Sequence, residues 1–357
     1  MVPVPRSRLA PSPTGAQHVG NARTYLIAWL SARSQGGSVR LRIEDIDSPR
    51  IKAGAADQSQ DDLRWLGLDW DGEPVVQTQR VERYESALVE LRRQERVYPC
   101  TCTRSDVAAA ASAPHAENEG PTYPGTCASR RVQDAEALTQ AGVPFSWRFR
   151  VQESPRFVDA YRGQVALDLR SNGGDFVVWK SAGTPAYQLA VVVDDAEMGI
   201  TEVIRGDDLL LSTPRQLLLY SALGCSPPSF AHMPLVVGTD GRRLAKRHGD
   251  TRLAALRNAG VPAEKLIGLL AWSCGWAEKG IAISPRELLK RWLQNHSDCG
   301  TGDSPAQDSS HRRDTGATVQ RGDLSFELTS KRFTLETIPR SPFVLSPELL
   351  ESIGYNA

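Results

Sequence analysis

Apolar and polar positions along the first hundred residues fall into a strand, helix, strand, helix series. The stretch from Arg6 to Ala10 predicts a short strand. From Asn21 to Arg33, NARTYLIAWLSAR spaces its apolar residues at a helical period and stops at Gly36-Gly37, a helix-ending signal. In SVRLRIEDI the apolar residues Val39, Leu41 and Ile43 recur at every second position, which predicts a strand. Ala56 to Leu66 and Val81 to Gln94 read as amphipathic helices. Strands alternating with helices of this length predict βαβ units, and so an α/β fold with a parallel sheet.

The regularity breaks between Cys100 and Arg131, where AAAASAPHAENEGPTYPG is small, polar and rich in turn formers, the mark of an insertion or loop. Alternation returns from Phe145 to Leu169. Tyr187 to Val193 (YQLAVVV) is nearly continuously apolar and predicts a strand buried on both faces. Thr213 to Leu223 predicts a helix with Thr213 as its cap and Pro214 at its first position. PLVVG, Pro234 to Gly238, predicts a further strand, and three helices are expected at Arg252 to Asn258, Pro262 to Trp272 and Pro285 to Leu293. His296 to Asp323 is almost without apolar residues and reads as a disordered linker. Leu324 to Ala357 regains hydrophobic residues without a recognisable period.

Charge changes the picture only by exclusion. The 42 basic and 42 acidic residues cancel to a formal net charge of +0, so a globally basic nucleic-acid binder is not indicated, although a local basic patch can still act. No run reaches the roughly 20 apolar residues of a membrane span, and the N-terminus lacks an apolar stretch of signal-peptide length. A cytoplasmic location is therefore expected. In such a chain the clustering of Cys100, Cys102 and Cys127 suggests a metal sooner than disulfides.

Two loops carry candidate chemistry. In RLAPSPTGAQHVGNART, Arg8 to Thr24, a proline-stiffened turn joins the first strand to the first helix. Backbone N–H groups at a helix start attract anions, and Gly15 and Gly20 permit close approach. His18 could donate to a phosphate oxygen as charge develops on it. Taken alone, this is equally a Pro-rich surface turn with a capping histidine. The second loop, GTDGRRLAKRHGD from Gly238 to Asp250, is rich in glycine and cations and follows a predicted strand. Lys246 offers a point charge, and Arg243 and Arg247 can grip oxygens bidentately.

Together the two loops resemble the signatures of class I aminoacyl-tRNA synthetases of the glutamyl branch. The first is similar to the HIGH signature, written here His18-Val19-Gly20-Asn21, with Asn in place of the last His. The second is similar to the KMSKS loop, written here Arg243-Leu244-Ala245-Lys246-Arg247. LRIEDID (Leu41 to Asp47), YQLAVVVDD (Tyr187 to Asp195), GITEVIRGDDLL (Gly199 to Leu210) and TPRQ (Thr213 to Gln216) match in the same order, so the resemblance spans about residues 6 to 295. It implies a Rossmann-type doubly wound parallel sheet with a zinc-containing insertion and a short helical C-terminal region. It also implies ATP contacts at His18, Gly20, Asn21, Arg243, Leu244 and Lys246, with His18 and Lys246 catalytic, and Mg2+ accompanying the ATP. A glutamate site needs two cations, one anion and neutral donors, and the resemblance places Arg8, Ala10, Ser12, Glu44, Tyr187 and Arg205 in it. Glu44 would meet the ammonium, and Arg8 and Arg205 the carboxylates. Without the resemblance, Glu44 reads as a surface partner of Arg42 or Arg50.

Two thiols two residues apart and a third after a loop supply three ligands of a tetrahedral Zn2+ site. The resemblance favours Tyr123 as the fourth beside Cys100, Cys102 and Cys127, and His115 is the chemically more usual alternative. One structural Zn2+ per chain is expected.

The large anticodon-binding region of discriminating glutamyl-tRNA synthetases has no counterpart after the second loop. That makes the chain similar to the truncated relatives that attach glutamate to queuosine in the anticodon loop of tRNA(Asp). The expected division is 1–99 and 187–250 for the two Rossmann halves, 100–186 for the insertion and acceptor-type subdomain, 251–295 for a helical stem-contact region, 296–323 for the linker and 324–357 for a tail without an assigned role. The expected partners are glutamate, ATP and tRNA(Asp) carrying queuosine, with no membrane, and the expected state is a monomer. Arg130, Arg131 and Arg242 are candidate phosphate contacts on local charge. Rival readings are a truncated enzyme charging the 3′ end of tRNA(Glu), a catalytically lapsed RNA-binding paralogue, and a nucleotidyltransferase of the same superfamily.

Overall fold

A computed structural model describes residues 4–13, 16–46, 54–110, 122–242, 244, 250–297 and 335–355. The first stretch of chain is β1 (Arg6–Leu9), α1 (Val19–Ser34), β2 (Ser38–Ile43), α2 (Ala55–Trp65), β3 (Val75–Val76) and α3 (Val81–Arg93). Strands β1, β2 and β3 form a parallel sheet in the order β1-β2-β3. The expected βαβ series is thus present. Helix α1 is buried along almost its whole length, because it lies between this sheet and later helices.

The middle stretch is antiparallel. It comprises β4 (Val97–Cys100), α4 (Arg104–Ala110), α5 (Asp134–Gln140), β5 (Ser146–Phe149), β6 (Arg156–Asp159), β7 (Gly163–Ala166) and β8 (Phe176–Trp179). Strands β4, β5 and β8 make one antiparallel sheet. Then come α6 (Tyr187–Glu197), β9 (Glu202–Gly206), α7 (Ser212–Ala222), β10 (Ser229–Met233) and β11 (Val236–Val237). Strand β10 runs parallel to β9 on one side and to β6 on the other, and β6 pairs antiparallel with β7.

Strand β9 lies beside β1: Thr201 N donates to Arg6 O at 2.9 Å, and Ser7 Oγ donates to Glu202 O at 3.4 Å. Read across, the strands run β3-β2-β1-β9-β10-β6, so the chain winds outward from β1 to β3 in one direction and from β9 to β10 in the other, with the earlier β6 added at that edge. A doubly wound sheet of this kind opens its ligand crevice at the carboxyl ends of the strands where the order reverses.

The chain closes with α8 (Leu253–Asn258), α9 (Ala263–Ser273), α10 (Pro285–Ser297), β12 (Phe343–Val344) and α11 (Pro347–Ser352). Helix α10 runs past the expected Leu293 into the first residues of the expected linker. Residues 298–334, the remainder of that linker and the start of the tail, lie outside the described residues. Among the described residues no helix is long and apolar enough to cross a membrane.

Three expectations are corrected. Tyr187 to Val193 is not a strand but the start of helix α6, packed against α3 and α7. A continuous apolar run fits a helix buried all round as well as a strand buried on both faces, and valines alone do not separate them. Thr213 does not cap α7. The helix starts one residue earlier, with Leu211 at its cap, and the Thr213 hydroxyl faces Arg205 and His232 instead. Pro214 then sits within the first turn, where its missing N–H costs nothing.

The third correction concerns the tail. Strand β12 adds in parallel to β11, and Ile338, Leu345, Leu350, Ile353 and Tyr355 are buried in the same core as α1, α8 and α9. Tyr161 Oη donates to Ile338 O and Pro339 O at 3.1 and 2.7 Å, and Trp276 Nε1 donates to Thr337 Oγ1 at 3.0 Å. These contacts are remote in sequence, so no local period announces them. Leu350→Ala, 3% exposed at the base of α11, is expected to destabilise the protein by about 2–5 kcal/mol, read from urea unfolding midpoints at constant slope.

Candidate active site

A cavity of about 290 Å3 opens at the carboxyl ends of β1 and β9, where the strand order reverses. Arg8 and Ala10 reach it from β1, Arg205 and Gly206 from β9, Glu44 from the end of β2, and Tyr187 from the first residue of α6. His18, Gly20, Asn21 and Thr24 enter from the start of α1, and Val236 and Leu244 close the far side. Of the residues named from sequence, Ser12 does not line the cavity; its hydroxyl donates to Glu44 O at 3.3 Å. Arg243 and Lys246 lie outside the described residues. Thr24, Tyr25, Asp208, Leu209, Leu235 and Val236 also line the cavity, and they carried no sequence signal beyond their places beside the motifs.

The turn at the start of α1 is held by His18 itself. Gly20 N donates to His18 Nδ1 at 3.1 Å while His18 N donates to Asn21 Oδ1 at 3.1 Å, a reciprocal cap. His18 caps its own helix, and it also lines the cavity. With Nδ1 accepting, a neutral ring carries its proton on Nε2, which makes that nitrogen a donor. The Gly20 position is tight, since a Cβ there would stand 3.0 Å from the His18 ring. Val19 N donates to Thr251 O at 3.1 Å and Leu253 N to Gln17 O at 2.8 Å, so the exit of the second loop is clamped to the first turn. Tyr25 Oη donates to Gln17 Oε1 at 2.8 Å, and burial holds that phenol well above its ordinary pKa.

Beneath the cavity sits a buried ion cluster. Arg42 is fully buried and donates to Asp195, and to Glu44 Oε1 at 2.9 Å, with Asp194 3.9 Å away. Asp194 in turn accepts from Gln77 Nε2 and Arg80 Nε, both at 2.8 Å, and from Tyr84 Oη at 3.0 Å. Burial opposes the charge on Arg42, but the surrounding carboxylates outweigh it and raise its pKa well above the ordinary value. The pairing of Glu44 with Arg42 is real, but it is a buried contact at the cavity floor rather than a surface salt bridge.

Both cavity arginines are buried with donors to spare. Arg8 NH1 donates to Ile204 O at 3.1 Å, leaving Nε without a hydrogen-bond partner and 3.9 Å from Asp195. Arg205 donates through Nε to His232 Nε2 at 3.0 Å and through NH2 to Thr213 Oγ1 at 2.8 Å, while its NH1 is buried without a partner. Burial lowers the Arg205 pKa, and Arg8 adds to that push. Two buried guanidinium groups with unsatisfied N–H donors favour an anionic ligand, because an unmade hydrogen bond from a buried charged group is expensive.

A second cluster lies in the middle stretch. The sulfurs of Cys100, Cys102 and Cys127 all fall within 4.8 Å of one another, with Cys102 Sγ and Cys127 Sγ 3.7 Å apart. A tetrahedral ion with Zn–S bonds of about 2.3 Å sets its sulfurs about 3.8 Å apart, so the cluster has the dimensions for one ion. Tyr123 Oη is 3.5 Å from Cys100 Sγ and accepts from Cys127 N at 2.8 Å. Burial pushes the Cys127 thiol up, but hydrogen bonds from Thr101 and Cys102 outweigh it and favour the thiolate. His115 lies outside the described residues. Arg130, a candidate phosphate contact, donates through NH1 to Thr101 Oγ1 at 3.1 Å and to Pro99 O at 3.5 Å beside this knuckle.

Residues 5–292 match the family model of the catalytic domain of class I tRNA synthetases for E and Q. The chain belongs to that family. Within it, the chain is similar to the glutamyl-Q tRNA(Asp) synthetase of Rhodopirellula baltica, 55% identical over 294 residues covering 79% of this chain and 88% of that protein. It is similar to the glutamyl-Q tRNA(Asp) synthetase of Symbiobacterium thermophilum at 49% identity over 292 residues, 79% of this chain and 90% of that one. Among solved structures, a glutamate-tRNA synthetase from Elizabethkingia anophelis superposes with a TM-score of 0.73 at 25% identity, covering 98% of this chain but 70% of that one. The class I family places the mixed α/β architecture in a known fold.

The buried cluster makes a sharp stability test. Arg42→Met strips Asp194 and Asp195 of their shared cation and is expected to cost about 3–5 kcal/mol. Chemical denaturation of the variant against the parent measures it.

Proposed function

We propose that this chain activates glutamate with ATP and transfers it to the queuosine base in the anticodon loop of tRNA(Asp). The observation that carries the reading is the set of groups lining the cavity: buried Arg8 and Arg205, each with an unpartnered donor, together with Glu44 and Tyr187. That layout suits a ligand with two carboxylates and one ammonium. The glutamyl-Q tRNA(Asp) synthetases to which the chain is similar over nearly their whole length support the same acceptor.

In the first step the glutamate α-carboxylate oxygen attacks the α-phosphorus of ATP, the bond to the bridging oxygen breaks, and pyrophosphate leaves with the electron pair. His18 Nε2–H and Lys246 bind the phosphates as charge moves onto the leaving oxygens. Arg243, Gly20, Asn21 and Leu244 complete the ATP site, with Mg2+ accompanying the nucleotide. Arg8, Arg205, Tyr187 and Ala10 hold glutamate, Ser12 acts through its hydrogen bond to Glu44 O, and Glu44 takes the ammonium. In the second step a hydroxyl of the queuosine cyclopentene ring attacks the acyl carbon of the adenylate, and AMP leaves. Positioning supplies much of the acceleration.

Cys100, Cys102 and Cys127, with Tyr123 as the fourth ligand, would hold one Zn2+. The ion would cross-link β4 to the loop that follows α4, a segment whose own core is small. The rest of the middle stretch and the helices α8 to α10 are assigned to tRNA contact.

Three measurements bear on this reading. ATP–pyrophosphate exchange with glutamate is expected to proceed without tRNA; exchange only in the presence of tRNA would favour the rival that charges tRNA(Glu), and none in either case the lapsed paralogue. Lys246→Ala is expected to slow adenylate formation at least about tenfold, which is about 1.4 kcal/mol of transition-state stabilisation; unchanged kinetics would remove Lys246 from the site. Metal analysis of the purified protein is expected to find one zinc per chain, lost in Cys100→Ser together with thermal stability, and a folded zinc-free wild type would refute the metal assignment.

A further inference from the structure

We infer that Asp159 and His232 are positioning residues that hold the Arg205 guanidinium toward the cavity through one fixed imidazole tautomer. The inference rests on the reading of Arg205 as a ligand of a substrate carboxylate. It concerns residues that the two signature loops do not include.

The three side chains come from three neighbouring parallel strands. Asp159 ends β6, His232 lies on β10, and Arg205 lies on β9 directly opposite His232 in the strand register. Asp159 and His232 are 1% and 0% exposed, so water does not compensate their polar groups. His232 Nδ1 stands 2.6 Å from Asp159 Oδ2, while Asp159 Oδ1 accepts from the backbone N–H groups of Tyr161, Arg162 and His232. A carboxylate is an acceptor only, so Nδ1 carries the proton. A neutral ring then presents a lone pair at Nε2, and Arg205 Nε donates to it at 3.0 Å.

Burial first, and the neighbouring guanidinium groups after it, favour the neutral ring. Burial lowers the His232 pKa, and although Asp159 works against this, Arg205 and Arg8 press in the same direction as burial. The Thr213 hydroxyl completes the arrangement, 3.1 Å from His232 Nε2 and accepting from Arg205 NH2 at 2.8 Å. Two edges of the guanidinium are thus spoken for by protein acceptors. The remaining nitrogen, NH1, is buried and unpartnered on a residue that lines the cavity. His232 and Asp159 do not themselves line it. They act through Arg205, whose fork is held in one orientation before the substrate arrives, and a side chain locked in advance loses less entropy on binding.

Asp159→Asn tests the tautomer. The amide oxygen can keep the backbone contacts made by Oδ1, but an NH2 group now faces His232 Nδ1. That nitrogen must accept, so the ring proton moves to Nε2 and confronts the Arg205 Nε–H. The KM for glutamate in pyrophosphate exchange is expected to rise about tenfold or more, the size of one lost hydrogen bond from a charged group, while the KM for ATP and the melting temperature stay close to wild type. A glutamate KM within about twofold of wild type, less than half a kcal/mol, would overturn the proposal.

Two substitutions at His232 guard against a folding failure of the first. His232→Gln places an amide oxygen near the Nε2 position, and His232→Asn places its amide near Nδ1 and leaves nothing to accept from Arg205. Both remove similar packing. The proposal expects His232→Asn to raise the glutamate KM about tenfold above His232→Gln at similar melting temperatures; equal effects would mean His232 only fills space, and overturn it. Arg205→Ala in the same assay separates the two readings. If it leaves the glutamate KM unchanged, the assignment of Arg205 as a substrate ligand fails and the positioning role falls with it. If it raises that KM while Asp159→Asn does not, Arg205 stands and only the pair's role is refuted.

Discussion

One buried cation organises the centre of this protein. Arg42, on β2, meets Asp195 and Asp194 on α6 and Glu44 just beyond its own strand. It therefore joins the first winding of the sheet to the helix that leads into the second. A guanidinium without water must be matched by carboxylates in good geometry, and each of those carboxylates needs its own hydrogen bonds. Gln77, Arg80 and Tyr84 supply them to Asp194, and Arg8 lies 3.9 Å from Asp195. Moving any one of these elements would leave a buried charge unpaired. The relative placement of β1, β2, α3 and α6 follows from that constraint.

The cavity above inherits its properties from this cluster. Glu44 is anchored from below by Arg42, so its carboxylate is set before any ligand enters. Arg8 and Arg205 reach the same space from adjacent strands, each with part of its hydrogen-bonding capacity used by protein and part left over. A site of this kind suits a small ligand with two carboxylates and one ammonium, by orientation as much as by charge. The α1 side of the cavity is prepared in the same manner: His18 caps its own helix, and that cap decides which ring nitrogen bears the proton. The exit of the cationic loop is pinned to this turn through Gln17, Val19, Thr251 and Leu253.

Much of this was legible from residues alone, and the reasons for the exceptions are physical. Among the elements from Arg6 to Arg93, α2 and α3 follow from apolar periodicity because each has one buried face and one wet one, while α1 is announced by its apolar spacing and its glycine stop although it is buried nearly all round. Tyr187 to Val193 misled because α6 is enclosed by α3 and α7, so its period is erased. Thr213 looked like a cap because its side chain is a natural one, yet the hydroxyl is spent on Arg205. The tail from Leu335 showed no pattern because it contributes single residues to a core built by distant helices.

Through the family resemblance its motifs carry, the sequence placed Arg8, Glu44, Tyr187 and Arg205 in one chemical set; by itself it determined the βαβ series, the order of its motifs and the clustering of Cys100 and Cys102 with Cys127. These are properties of residue type and spacing, and they survive any choice of tertiary contact. The tertiary structure alone decided that Arg42 is a buried hub rather than a surface partner, that Asp159 and His232 stand behind Arg205, and that β12 completes an edge beside β11. Each of those depends on which groups share a space without water, and burial of that kind is set by the packing of segments far apart in the chain.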